Sequence, residues 1–432
     1  AGGPGKLIGK AARAISRGDV GVIRERIALV RDRAQGRAAA QRRPTTQKRT
    51  DTDSALSWRK RVLVIEWTTP RPDADSGSRT VFYTAEILTL LGYDVTFLPI
   101  DLKHAGRYTE ALERIGITCI DASTSPTARG FFQSRGGEFD FVMLNRVSVV
   151  GPHMADIRRY CSKARLIFNT VDLHYLRELR DAELNGQSTE AALRLKSEEL
   201  DIVRSSDATI VLSSAEHDIL QAEVPEARVE VLPLVFNEID PNPPGHAGRA
   251  DILFIGSFPH KPNVDAILYF ADEIFPALRA RLPGIRLHVV GSEPTPQVLA
   301  LATRPGIVVH GFVADLTPLF RSVIATIAPL RFGAGIKGKV ATSLAYGVPC
   351  VCTPVAAEGM NLGEGQTVLV AETVADWCDA IGRLCEDPAC WDRLSAAAQE
   401  FAVSEFSVAA NALRMARLMA SVDPDPSDLV ML

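Results

Sequence analysis

The chain has 432 residues, too many for one compact core, so two or three domains are expected. Its apolar and charged fractions, 46% and 23%, are those of an ordinary soluble globular protein. No apolar run approaches the roughly 20 residues needed to cross a bilayer, which excludes a chain built on membrane-spanning helices. The net charge of −4 hides an asymmetry, since residues 1–60 carry a net +10 and the remainder −14. No secretory leader is expected ahead of the fold. The seven cysteines (Cys119, Cys161, Cys350, Cys352, Cys378, Cys385 and Cys390) form no CxxC pair and have no histidines at metal-ligand spacing. They read as reduced core thiols, which fits a cytoplasmic protein, and no metal site is expected.

Residues 1–58 read as a basic helical extension and linker. Leu7, Ile8, Ala11 and Ile15, then Val22, Ile23, Ile27, Leu29 and Val30, recur at helical spacings, and residues 41–57 with Pro44 read as linker. Three readings of this extension stand open: peripheral contact with the anionic inner face of a membrane, a connector from an upstream domain, and a solvated tail. Its charge alone does not imply nucleic acid, and no nucleic-acid partner is expected.

Residues 59–236 alternate short apolar strands with helices. A strand at 62–66 leads to a helix at 78–91, a strand at 94–98, a helix near 108–115, and a strand at 141–145. A helix at 153–161, a strand at 165–170, a helix at 190–205, a strand at 208–212, a helix from 215 and a strand at 229–232 follow. Pro233, Asn237 and the proline-rich run 241–245 mark an interdomain linker. Residues 237–405 repeat the pattern with a strand at 251–256, a helix at 263–282 and a strand at 286–290 with Gly291 behind it. Strands at 307–310, 323–330, 348–353 and 367–370 come next, with helices at 316–321, 340–346, 373–386 and 388–401. A helix at 408–422, within the closing segment 406–432, is expected to pack back toward the first domain. The expected fold class is α/β, with two Rossmann-like domains facing across a cleft and the ligand at the carboxyl ends of their strands.

One loop of the second domain carries chemistry of its own. Gly333, Gly335 and Gly338 alternate with Lys337 and Lys339 between the strand ending at Leu330 and the helix beginning near Val340. Glycines let backbone N–H groups approach an anion, the helix N-terminus adds its dipole, and the lysines add full charges. A phosphate or diphosphate is the ligand such a loop suits. Glu358, after a strand and before Gly359, is placed to accept hydrogen bonds from ribose hydroxyls, with a helix N-terminal acid as the alternative. His260 and Lys261, after the turn at Gly256, are placed to reach the same phosphates, with Asn263 capping the helix behind Pro262. Gly77, Ser78 and Arg79 open the first helix. They either contact phosphate or sugar from the opposite domain or form a capped helix start. His174 and Asp172, at a strand end facing the cleft, are the catalytic candidates: His174 holds a sugar hydroxyl or the reacting centre or is a satisfied buried histidine, and Asp172 orients it or caps a turn.

From Phe254, Gly256 and Ser257 through Gly291, His310, Gly311 and Phe312, then Pro329 and Leu330, the Gly333–Lys339 loop, Leu344 to Pro349 and Thr353 to Gly359, the chain resembles the donor half of the GT-B glycosyltransferases, specifically the large retaining family 4, or group 1. The first domain resembles the acceptor half through Gly77 to Arg79 and through Asp172 and His174. The resemblance covers about residues 61–420. It implies a retaining transfer of a hexose from a nucleoside-diphosphate sugar to a glycan or lipid-linked acceptor, in cell-surface polysaccharide synthesis, while Lys337, Lys339 and the loop N–H groups can neutralise the departing diphosphate with no metal. It also exposes a departure. Many members carry two glutamates eight positions apart around this loop, and here Ala334 and Thr342 stand in their places. A catalytically silent module that binds nucleotide or glycan within a larger transferase is the alternative. A Rossmann oxidoreductase is disfavoured because no GxGxxG follows either domain's first strand.

Overall fold

A computed structural model of the chain describes residues 60–423 apart from Asn237, Glu238, Pro241 and Ala334. The extension read at 1–58 lies outside the described residues, as do the linker residue Asn237 and the loop residue Ala334. The chain opens with β1 (Arg61–Glu66), α1 (Ser76–Leu90), β2 (Asp94–Pro99), α2 (Arg107–Arg114), β3 (Thr118–Cys119) and α3 (Ala128–Arg135). β4 (Phe141–Asn145), α4 (Val147–Val150), α5 (Met154–Tyr160), β5 (Arg165–Asn169) and α6 (His174–Leu184) follow. α7 (Glu190–Arg204), β6 (Ala208–Val211), α8 (Ser214–Glu223) and β7 (Val229–Val231) complete this part. They form a parallel sheet in the order β3-β2-β1-β4-β5-β6-β7.

The second sheet begins with β8 (Ile252–Ile255), α9 (Lys261–Tyr269), a π turn (Phe270–Ile274), α10 (Phe275–Arg281), β9 (Leu287–Val290), α11 (Pro296–Ala300) and β10 (Ile307–Gly311). It continues with α12 (Thr317–Ser322), β11 (Ala325–Ala328), α13 (Gly338–Ala345), β12 (Cys350–Cys352), α14 (Pro354–Ala357) and β13 (Leu369–Val370). The strand order is β10-β9-β8-β11-β12-β13, again all parallel. α15 (Val374–Glu386), α16 (Pro388–Phe406) and α17 (Val408–Val422) close the chain.

Both sheets are covered on both faces, which is why their strands read as unbroken apolar runs. Along β1, Leu63 and Ile65 enter one core and Val62 and Val64 the other, as a two-residue period requires. Each such side chain contributes about 1.5–3 kcal/mol on leaving water. In both sheets the strand order reverses beside the first strand, at β1/β4 and β8/β11, and such reversals open a crevice at the carboxyl ends.

The single helix expected at 263–282 is broken by the π turn. Pro276 has no N–H to give the preceding turn, and the ladder widens just before it. α17 places Val408, Ala412, Met415, Met419 and Val422 on the core of the first sheet, beside Val81, Ala85 and Leu88 of α1. The chain therefore crosses between the sheets twice. The crossings run side by side, with Phe236 N–H donating to Phe406 C=O at 2.8 Å and Phe236 bridging Ser407.

Candidate active site

On the second sheet, the loop after β11 is held open for a purpose its sequence explains. Thr353 Oγ1 donates to Leu330 C=O, and Gly333 and Gly335 take φ of 142° and 68°, which side-chain-bearing residues rarely adopt. Lys337 Nζ donates to Gly335 C=O at 2.8 Å and lies 3.8 Å from Glu358. Lys339, in the first turn of α13, donates to Asn263 Oδ1 at 2.7 Å. Asn263 in turn donates to Ser257 C=O at 2.7 Å. Asn263 is therefore no helix cap: α9 starts at Lys261 behind His260, and Asn263 orients Lys339 from inside the first turn.

Lys337 is buried and Lys339 half-buried. Burial pulls the Lys339 ammonium down to about 7, with Lys337 adding repulsion, and pulls Lys337 down to about 8 against the attraction of Glu358. His260 keeps part of its surface exposed, yet desolvation by its neighbours and then Lys339 push it down to about 4. Gly256 and Gly291 let the ends of β8 and β9 touch: a Cβ on Gly291 would fall 1.7 Å from Gly256 C=O.

On the first sheet, the site is built where β1, β4 and β5 end. Asn145 donates to Ile65 C=O, Asn169 donates to Asn145 Oδ1, and Val171 N–H donates to Asn169 Oδ1, a polar ladder that fixes three strand ends. Val171 then turns at φ 64° to present Asp172. Asp172 accepts from Arg177 and, at 3.1 Å, pairs with His174 Nε2. Burial opposes its charge, yet these two partners hold it at about 2.

Two buried glutamates hold the loop from behind. Glu199 accepts the N–H groups of His174 and Tyr175 at 3.3 and 3.1 Å. Glu216 accepts those of Leu173 and Leu212 at 3.0 and 3.2 Å. Burial raises each to about 7 in spite of these bonds.

The two halves meet directly. Arg180 of α6 grips Glu358 with both nitrogens, at 2.6 and 2.8 Å, and donates to Gly333 C=O at 2.7 Å. Lys261 pairs with Asp181 at 3.1 Å. A Cβ on Gly338 would lie 1.8 Å from Ser76 Oγ, so the first turns of α13 and α1 abut. A Cβ on Gly335 would lie 3.2 Å from that of Asp172.

Of the residues singled out from sequence, Gly333, Gly335, Lys337, Lys339, Glu358, Asp172 and His174 converge along this contact, with His260 and Gly256 behind Lys339. Gly77 is also present, though Arg146 Nη2 covers it: a Cβ there would be 2.5 Å away. Ser78 instead donates twice to Asp75, which caps α1. Arg79, half-buried, stacks 4.8 Å over Phe236 and donates to Pro72 C=O, so it is tied within its own domain. Thr342 Oγ1 donates to Gly338 C=O within its own helix. Sequence reading missed Arg177, Arg180, Glu199, Glu216 and the Glu66–Arg146 pair. The available signal was Arg177 and Arg180 at helical spacing just after Asp172 and His174. Among the described residues no cluster of His, Cys, Asp and Glu has metal-binding geometry.

Two facing parallel sheets with a basic glycine loop at their junction define the GT-B class. Residues 249–387 match the family described as Glycosyl transferases group 1. The fold is shared with sucrose-phosphate synthase from Thermosynechococcus elongatus, at a TM-score of 0.64 and 17% identity over 84% of this chain and 99% of that one. Anabaena HepE, solved in complex with UDP and glucose, aligns at a TM-score of 0.62 and 14% identity over 84% of this chain and 100% of its own. S. aureus TarM, solved with fondaparinux, alpha-GlcNAc-glycerol and UDP, aligns at 0.55 and 10% identity over 68% of this chain and 59% of its own. No curated protein matches by sequence. The chain has the GT-B fold, and residues 249–387, which span its second sheet, match a group 1 glycosyl transferase domain.

Proposed function

We propose that the chain is a retaining hexosyltransferase that moves a sugar from a nucleoside diphosphate to a glycan or lipid-linked acceptor, in cell-surface polysaccharide synthesis. The observation that carries the donor assignment is the convergence of Lys337, Lys339 and the N-terminus of α13 on one loop at the carboxyl edge of the second sheet. Breaking the bond from sugar to diphosphate builds negative charge on the leaving group. Fixed cations and backbone N–H groups in a water-poor site stabilise that charge without a metal. HepE and TarM, both solved with UDP, share the architecture and support a nucleotide donor.

Glu358 is the acid placed for the donor ribose, and Arg180 must yield one of its oxygens when ribose arrives. The Asp172–His174 pair, beside Gly335, is assigned to a hydroxyl of the transferred sugar. Closure about the two side-by-side crossings would exclude water and align the reactants. A cytoplasmic setting is supported by the seven free cysteines.

The reading as a silent binding module draws on Thr342, which turns its hydroxyl into its own helix where a carboxylate was expected. Donor hydrolysis by the isolated chain separates the two. Thermal unfolding with UDP, GDP, dTDP, ADP and CMP tests the donor class. At least one diphosphate should raise the midpoint by several degrees, by mass action, while CMP does less. No shift with any diphosphate would remove the assignment.

A further inference from the structure

The rim of the first domain holds a group of side chains that the donor chemistry does not use. Trp67 follows Glu66 at the carboxyl end of β1 and is 58% exposed. Its backbone is rigid, since its N–H donates to Glu66 Oε1 at 2.7 Å and its C=O accepts from Asp101 at 3.0 Å. An exposed indole on an anchored backbone offers a flat face, and the apolar C–H face of a pyranose packs on such a ring.

Beside it the loops after β1 and β2 are locked by Thr69 and Thr109, whose hydroxyls lie 3.3 Å apart in the interior. On this base Tyr108 carries two guanidinium groups, Arg107 at 4.7 Å and Arg71 at 5.8 Å from the ring centre. Arg107 is tied to Asp73 and to the Tyr108 hydroxyl, yet its side chain is 68% exposed. Arg71 pairs with no carboxylate among the described residues, and Lys103 is exposed on the adjoining loop. The acids around it are Asp73, held by Arg107; Asp101, which accepts from the Lys103 N–H; Asp75, which caps α1; and Glu110, exposed in the first turn of α2. What sets this rim apart is two guanidinium groups gathered on one tyrosine ring, one of them without a carboxylate partner among the described residues, in a chain whose residues beyond 60 are net acidic. The patch also connects to the transfer site. Glu66 is 3.2 Å from Arg146, Arg146 covers Gly77, and the neighbouring Ser76 touches Gly338 of the donor loop.

We propose that this rim is the acceptor subsite and that it selects an anionic saccharide, with Trp67 stacking on one sugar ring and Arg71 and Arg107 holding a carboxylate or phosphate on the next. The proposal rests on the reading of the cleft as that of a sugar transferase. Calorimetry on the full chain with three probes tests it: neutral maltotetraose, tetragalacturonic acid, and a mannopentaose bearing one phosphate. At least one anionic probe should bind about tenfold tighter than maltotetraose, and which one does so tells carboxylate from phosphate. Replacing both Arg71 and Arg107 by Ala should erase that preference to within about twofold, while Trp67→Ala weakens every probe that binds. Equal affinity for neutral and anionic probes, binding of none, or a preference that survives loss of both arginines would overturn the proposal. Nucleoside-diphosphate affinity measured on the same variants should not change. If wild type binds an anionic saccharide but no nucleotide, the donor reading falls and the rim stands; the opposite pattern removes the rim alone.

Discussion

Lys339 keeps its ammonium half-buried beside a second lysine, so its charge costs free energy until an anion arrives. Its folded pKa of about 7 lies below the ordinary 10.5. The unfolded chain therefore binds the extra proton between those values, and this group adds stability as pH rises across that window. A bound diphosphate reverses the shift, because an opposite charge favours the ammonium. Lys337, at about 8, behaves alike. Diphosphate affinity should therefore fall as pH rises from about 7 to 9, and binding at pH 8 should take up protons. Titrations in buffers of different ionisation enthalpy read that uptake directly, and a flat profile with no uptake would argue against lysine contact. These two lysines were legible in the sequence because glycines at positions that need positive φ announced the loop around them. Arg180 was not, since its partner Glu358 lies 178 positions away and nothing local marks the pair.

Among the elements, α6 and the turn before it show how a site can be built on polar burial. Only His174, Tyr175, Asp181 and Ala182 of α6 are buried, so the helix lacks the apolar stripe that gives helices away. For the same reason sequence reading passed from the strand at 165–170 to the helix at 190–205 without it, whereas β1, β4 and β5 stood out as unbroken apolar runs. The first turn of α6 is held by the Glu199 carboxylate across two backbone N–H groups. Glu199→Ala leaves both donors buried without an acceptor and should lower unfolding free energy by about 1–3 kcal/mol in urea titration. It should also loosen the turn that presents Asp172 and His174. A variant as stable as wild type would show that the turn holds itself.

For the whole molecule, the two parallel α/β sheets followed from alternating strands and helices. The way the sheets face each other did not, because it depends on contacts such as Gly338 against Ser76 and Arg180 against Glu358 that join residues far apart in the chain. Those contacts place the glycine-lysine loop of one sheet against the Asp172 turn of the other. α17 returns to the first sheet, so two segments join the domains. The account stands or falls on whether that loop binds a nucleoside diphosphate. Calorimetric titration of wild type and Lys339→Ala with the diphosphate giving the largest thermal shift measures this most directly. Loss of a charge-assisted contact should weaken binding about tenfold or more in the variant. Equal affinity in the two proteins would contradict the assignment of the loop.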